Sequence, residues 1–255
     1  LPSPGALHLA QSAFGGKLVA ASVLRWPNRF RGVSSRESER VTSQFVVRRA
    51  RVLHLLFGIS GAAALIYQVL WVRAFADVFG ATAEAAAAVL SAFFLGLAFG
   101  SDYFGRMVDA SERPLRLYAL LELGIAVAAL PAVGMIVLYR SLYDEMYRLL
   151  AGTPGLFTLF KMGLAAVALF PAATLMGGTL PAIGRAVVGD RGSLGRSGGR
   201  LYAVNIVGAV IGALLASFAL PPRLGTRGSY ALAIALSLSV AAAAGWLARS
   251  ERVQS

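Results

Sequence analysis

The 255-residue chain contains no cysteine, which excludes disulfides, thiolate metal sites and cysteine nucleophiles. Its two histidines, His8 and His54, are too far apart in sequence to give a metal-ligand spacing. Charged residues make up only 14% of the chain, against about 25% in a soluble domain. So few charges cannot cover a water-facing surface, and a soluble enzyme, a disordered chain and a nucleic-acid-binding module are all excluded. No Ser/His/Asp set and no carboxylate pair suggests a shared catalytic site. The glycine-rich stretch Gly189–Gly199 matches neither G-x-x-x-x-G-K-[ST] nor a G-x-G-x-x-G that follows a strand, so it reads as a flexible cytoplasmic linker.

What the chain does have is apolar residues, 57% of the total, with a mean hydropathy of +0.69. They fall into uncharged runs at Val52–Val72, Ala85–Ser101, Leu123–Tyr139, Met162–Gly184, Leu201–Pro222 and Gly228–Ala248. A helix needs about 20 mainly apolar residues to cross a bilayer, and the two short runs are completed by Ala81–Glu84 and Leu117–Glu122. The runs are continuous rather than alternating, which excludes membrane β-strands. Hydrocarbon leaves backbone groups no water to bond, so the expectation is an all-α integral membrane protein with six transmembrane helices over 52–248. Trp71, Tyr103, Tyr118, Tyr139, Tyr202, Tyr230 and Trp246 fall near run ends, where an interfacial aromatic belt would place them.

Residues 1–51 carry nine of the 24 basic residues and no long apolar run. They are expected to form a mostly disordered basic cytoplasmic tail, with a surface helix near Val41–Arg51. With that tail inside, 18 basic residues lie on the cytoplasmic side and six on the other. This asymmetry places both termini, including the stub 249–255, in the cytoplasm. It also accounts for the net charge of +12 without a nucleic-acid partner. Residues 140–155 have helical apolar spacing beside charges and suggest a short amphipathic helix in the outer interface.

A shift of 112 residues aligns Arg73-Ala74 with Arg185-Ala186, Gly80 with Gly192, Gly96 and Gly100 with Gly208 and Gly212, and Tyr118-Ala119-Leu120 with Tyr230-Ala231-Leu232. Each repeat would hold three spans. An odd number inverts one repeat relative to the other, as within one half of a major facilitator fold. Gly96/Gly100 and Gly208/Gly212 are GxxxG pairs expected to pack closely at the pseudo-symmetry axis.

Glu122 stands inside the third run. A carboxylate at mid-membrane costs about 2.5–3.5 kcal/mol on insertion scales, so it must pair, protonate or reach water. Arg106, Arg116 and Arg185 are candidate partners on the same side. The functional reading is a polar site in a cavity, suited to a cation; the alternative is a structural ion pair. Gln68, Tyr67, Arg73 and Asn205 could line the same polar path or bond neighbouring helices. Pro171 and Pro181 in the fourth run could break that helix beside a cavity.

Several strings also resemble a known family. They are Phe57–Arg73 (FGISGAAALIYQVLWVR), Phe94–Gly100 (FLGLAFG) followed by Gly105-Arg106, Pro114–Gly124 (PLRLYALLELG), Leu175–Pro181 (LMGGTLP), Gly199–Asn205 (GRLYAVN) and Gly208–Ala213 (GAVIGA). In order, and over roughly 53–248, they resemble the membrane region of membrane-bound spermidine synthase-like proteins. The resemblance implies a bacterial-type inner membrane location and a cytoplasmic aminopropyltransferase domain that the spans anchor or feed. Decarboxylated S-adenosylmethionine would belong to that domain. No cofactor and no catalytic residue carries over to these 255 residues, so aminopropyl transfer is not expected of them alone. Three readings result: a membrane domain serving such a synthase, a polyamine or small-molecule transporter half acting as a homodimer or with a partner, and a structural subunit of a membrane complex.

Overall fold

The computed structural model describes residues 31–80, 82–150, 152–187 and 194–254. The chain divides into two compact units, Leu1–Phe45 and Val46–Ser255, and the helical bundle belongs to the second. The elements are α1 (Arg31–Phe79), α2 (Ala83–Asp109), α3 (Pro114–Ala128), α4 (Leu130–Leu150), α5 (Pro154–Val187), α6 (Leu194–Leu214), a π-helical turn (Leu215–Ala219) and α7 (Leu220–Gln254). No strand occurs among the described residues, so the expected all-α class holds.

Among the described residues four segments are long and apolar enough to cross a membrane: Val47–Asp77, Ala86–Asp109, Gly155–Val187 and Ser197–Ser250. The last has 54 residues, about 81 Å if straight, against a hydrocarbon thickness of about 30 Å. It is divided at Gly225, whose φ of 68° and ψ of 172° lie outside the helical region, in a part of backbone space open essentially to glycine alone. Gly80, with φ 91°, makes the corresponding reversal between α1 and α2.

Three local expectations change. Helix α1 already begins at Arg31, so at least residues 31–51 of the supposed disordered tail are helical; residues 1–30 lie outside the described ones. The third run is not one helix. A turn at Ala129 separates α3 from α4, because Pro131 has no N–H for the ladder. Residues 140–150 then belong to α4 rather than to a separate interfacial helix. Tyr143 and Tyr147 of α4 meet Phe157 of α5 edge-on, and Lys161 lies over the Phe157 ring. By contrast, α5 runs unbroken through Pro171 and Pro181. The expected glycine-rich linker falls partly outside the described residues, and Leu194–Gly199 opens α6.

Close contacts between helices are made at small residues. A Cβ on Gly100 would lie 1.8 Å from the Thr174 carbonyl oxygen of α5, and one on Gly212 would lie 2.2 Å from the Ala62 carbonyl oxygen of α1. Gly96 meets Ala173 in the same way, and Gly208 meets Gly58. The two GxxxG pairs are both positions of close helix packing. Each receives the backbone of a different helix, which is the close approach that small residues permit in lipid.

The bundle core has two apolar clusters. One gathers Ala63, Ile66, Leu70, Phe75, Phe93, Ile125, Leu169 and Ala233. The other gathers Leu53, Phe57, Leu115, Leu121, Ile183, Leu201, Val240 and Ala244. Along α1, α3, α5 and α7 the first cluster and the second occupy opposite ends, and α6 places Leu201 in the second. The residues between them include Ser60, Glu122, Thr179, Asn205 and Ser237. A polar layer thus crosses the middle of the bundle, one side chain from each of five helices.

Candidate functional site

This polar layer borders a cavity of about 270 Å³, close to the lower end of small-molecule pockets and roomy enough for several waters. Its walls come from α1, α2, α3, α5, α6 and α7, and its polar side chains are Ser60, Gln68, Glu122, Thr179, Asn205 and Ser237. Phe93, Phe94 and Ile125 supply apolar wall.

Glu122 is 1% exposed. Helix α3 opens with Pro114 at its first turn, and the carboxyl follows on the face that also buries Leu115, Tyr118 and Ile125, at spacings of three to four residues. The Ser60 hydroxyl donates a hydrogen bond to Glu122 Oε1. The Tyr118 hydroxyl faces the same carboxyl without completing a hydrogen bond. Among the described residues Glu122 has no ion pair. Of its three candidate partners, Arg106 binds Asp102 at 2.7 Å on the surface, and Arg116 and Arg185 are exposed. The structural ion pair allowed by the sequence is therefore not formed there.

Asn205 reaches across α6 to α1, where its Nδ2 donates to the Phe57 carbonyl at 2.9 Å. Gly61 makes this possible, since a Cβ there would lie 2.6 Å from Asn205 Nδ2. Thr179 donates its hydroxyl to the Met176 carbonyl at 2.7 Å, which leaves its oxygen free to accept. These neutral dipoles surround one carboxyl with no competing cation among the described residues, an arrangement suited to a ligand that donates hydrogen bonds and carries positive charge.

Of the candidates read from the sequence, Glu122, Gln68 and Asn205 come together at the cavity. Tyr67 does not line it. Its ring is fully buried and stacks on Trp71 at 5.6 Å. Arg73 is also elsewhere. It is exposed and donates to the Ser217 carbonyl at 2.6 Å. That carbonyl lacks an intrahelical donor because Pro221 and Pro222, four and five residues on, have no N–H, and the π-helical turn Leu215–Ala219 forms there. The aromatic belt needs a matching correction. Trp71, Tyr118 and Tyr230 are buried in the core, whereas Tyr103, Tyr202 and Trp246 are exposed. Position near a run end says nothing about which way a ring faces.

Sequence reading missed Ser60, Thr179 and Ser237. Each is a small hydroxyl residue inside an apolar run, and such residues also occur as simple helix-packing positions. No group of three or more His, Asp or Glu residues able to hold a metal occurs among the described residues.

No family model, no curated protein and no solved structure matches this chain.

Proposed function

We propose that this chain is a six-crossing membrane domain of two inverted three-helix repeats whose central cavity binds a small solute with a cationic nitrogen. The observation that carries the reading is Glu122: a carboxyl excluded from solvent, without an ion pair among the described residues, on the wall of a cavity lined by five neutral polar side chains. A carboxylate costs about 2.5–3.5 kcal/mol at mid-membrane on insertion scales, and such residues are functional by default.

The repeat is supported by a feature the sequence alignment does not use. Gly100 and Thr174 form one close backbone contact, and Gly212 and Ala62 form another. The same 112-residue shift, applied to both partners, relates the two contacts. Six crossings are supported by the division of the 54-residue apolar segment at Gly225 and by the uncharged run Leu123–Tyr139, which α3 and α4 share across the turn at Ala129. The arginine bias supports both termini lying in the cytoplasm, and the resemblance favours a bacterial-type inner membrane. The resemblance to spermidine synthase-like membrane regions favours an amine that the domain passes to or from a cytoplasmic aminopropyltransferase.

The test is equilibrium binding of labelled putrescine to the full chain in lipid nanodiscs. Saturable binding is expected, falling at least tenfold in Glu122→Gln while the unfolding midpoint changes little. Equal binding by both proteins removes the site. No saturable binding by either leaves a domain that anchors without feeding.

A further inference from the structure

A second set of polar atoms runs from Ser237 in the cavity lining into the apolar cluster on the side of the Gly225 break. Tyr67, Trp71 and Tyr230 are members of that cluster. The Tyr67 and Tyr230 hydroxyls, the Trp71 Nε1 and the Ser237 hydroxyl are all buried with no hydrogen-bond partner within the protein. Tyr67 and Trp71 are 0% exposed and Ser237 is 1% exposed. The Ser237 and Tyr67 hydroxyls face each other, yet neither completes a bond. A buried polar group left unsatisfied pays its full desolvation with no bond in return, and four between two helices would weigh heavily on a single bundle. Trp71 Nε1 can only donate, so its partner must be an acceptor.

The order of these groups along the chain is regular. Ser60, Tyr67 and Trp71 ascend α1, while Ser237 and Tyr230 run antiparallel on α7, followed by Ser229, whose hydroxyl bonds the Gly225 carbonyl at 2.7 Å. From Ser60 to Trp71 is about 16 Å of helix, half of a hydrocarbon layer about 30 Å thick. Among the described residues the opposite cluster has no such series. Its unpartnered hydroxyl, Tyr118, faces the carboxyl itself. The remaining buried orphan among the described residues, Thr174, lies at the α2–α5 contact.

We infer that Tyr67, Trp71, Tyr230 and Ser237 line a file of bound water that connects Glu122 to the bundle end bearing Gly225 and serves as the proton path to that carboxyl. Buried waters typically make about three hydrogen bonds to otherwise unsatisfied groups, as this series requires. A proton leaving Glu122 passes to the first water, and each water hands one proton on. The carboxyl becomes a carboxylate and one hydronium appears at the far end. The titratable groups around Glu122 are Tyr67 on α1 and Tyr118 on its own helix; α5, α6 and α7 present Thr179, Asn205 and Ser237, which do not titrate. The inference needs only the buried carboxyl and not the amine reading.

Two measurements on the full chain in nanodiscs test it. Radiolytic hydroxyl-radical footprinting, corrected for intrinsic reactivity, should label Tyr67, Trp71 and Tyr230 at least tenfold more than the equally buried Phe57 and Phe75. Labelling no greater than at those phenylalanines means a dry interface and overturns the file. Infrared spectroscopy at acidic pH should show a carboxyl band lost in Glu122→Gln, whose shift on transfer to deuterated water slows at least tenfold in Tyr67→Phe/Tyr230→Phe and is unchanged in Tyr118→Phe. Equal rates in the double variant, or no Glu122-dependent band at any pH, overturn the proton path.

Discussion

Replacing Gly100 by alanine is a direct test of how closely the helices pack. The added Cβ would lie 1.8 Å from the Thr174 carbonyl oxygen, 2.6 Å from its carbon and 2.9 Å from its Cα. All three are backbone atoms, so no rotamer change can relieve the overlap. Reaching ordinary contact at about 3.4 Å requires α2 and α5 to part by about 1.6 Å, and a gap of 0.5–1 Å already forfeits a quarter to a half of each contact's attraction. The expected loss is therefore at the upper end of overpacking costs, about 3 kcal/mol. Gly212→Ala makes the same demand on α6 and α1, where the Cβ would lie 2.2 Å from the Ala62 oxygen. The two contacts involve separate helix pairs, so the double variant should lose about 6 kcal/mol. Gly163 and Gly105 have nothing within 4 Å of an added Cβ; alanine there should be neutral or stabilise by up to about 1 kcal/mol. The assay is reversible unfolding by denaturing detergent, followed by circular dichroism. A Gly100→Ala midpoint equal to wild type, or an equal loss in Gly163→Ala, refutes the reasoning.

Further outcomes follow from single contacts. Arg73→Met leaves the Ser217 carbonyl without its donor and should cost about 1 kcal/mol, an exposed charged hydrogen bond being worth less than a buried one; the same unfolding assay with Arg73→Lys should recover part of the loss. Gly225→Ala forces a side chain into backbone space reserved for glycine and should destabilise by about 1–3 kcal/mol, although no atom lies within 4 Å of the new Cβ. At the start of α2, hydrogen bonds from Glu84's own backbone N–H and from Thr82 hold the Glu84 carboxyl below its ordinary range. A lowered folded value means that its contribution is complete above the unfolded value of about 4.3 and is lost as pH falls through the folded one. Amide exchange in the first turn of α2 should therefore rise below about pH 4, and Glu84→Gln should remove that step.

Sequence alone decided the solvent. Fourteen per cent charge and uncharged runs of 17 to 23 residues leave hydrocarbon as the surroundings in which this surface is affordable, and helix as the backbone form. It also singled out Glu122, because an ionisable group in such a run stands out against every neighbour, and the glycine pairs, because four-residue spacing of small residues is local. What it could not reach depends on facing. Trp71, Tyr118 and Tyr230 look interfacial by position and are core by rotation. Ser60, Thr179 and Ser237 are unremarkable singly and become a polar layer only when five helices bring them to one depth. The partners of Gly100 and Gly212 are 74 and 150 residues away in sequence, beyond any local pattern. The tertiary structure decided those pairings, and with them whether Glu122 meets an arginine or a serine, because helix rotation and contact are set by packing between segments rather than within one.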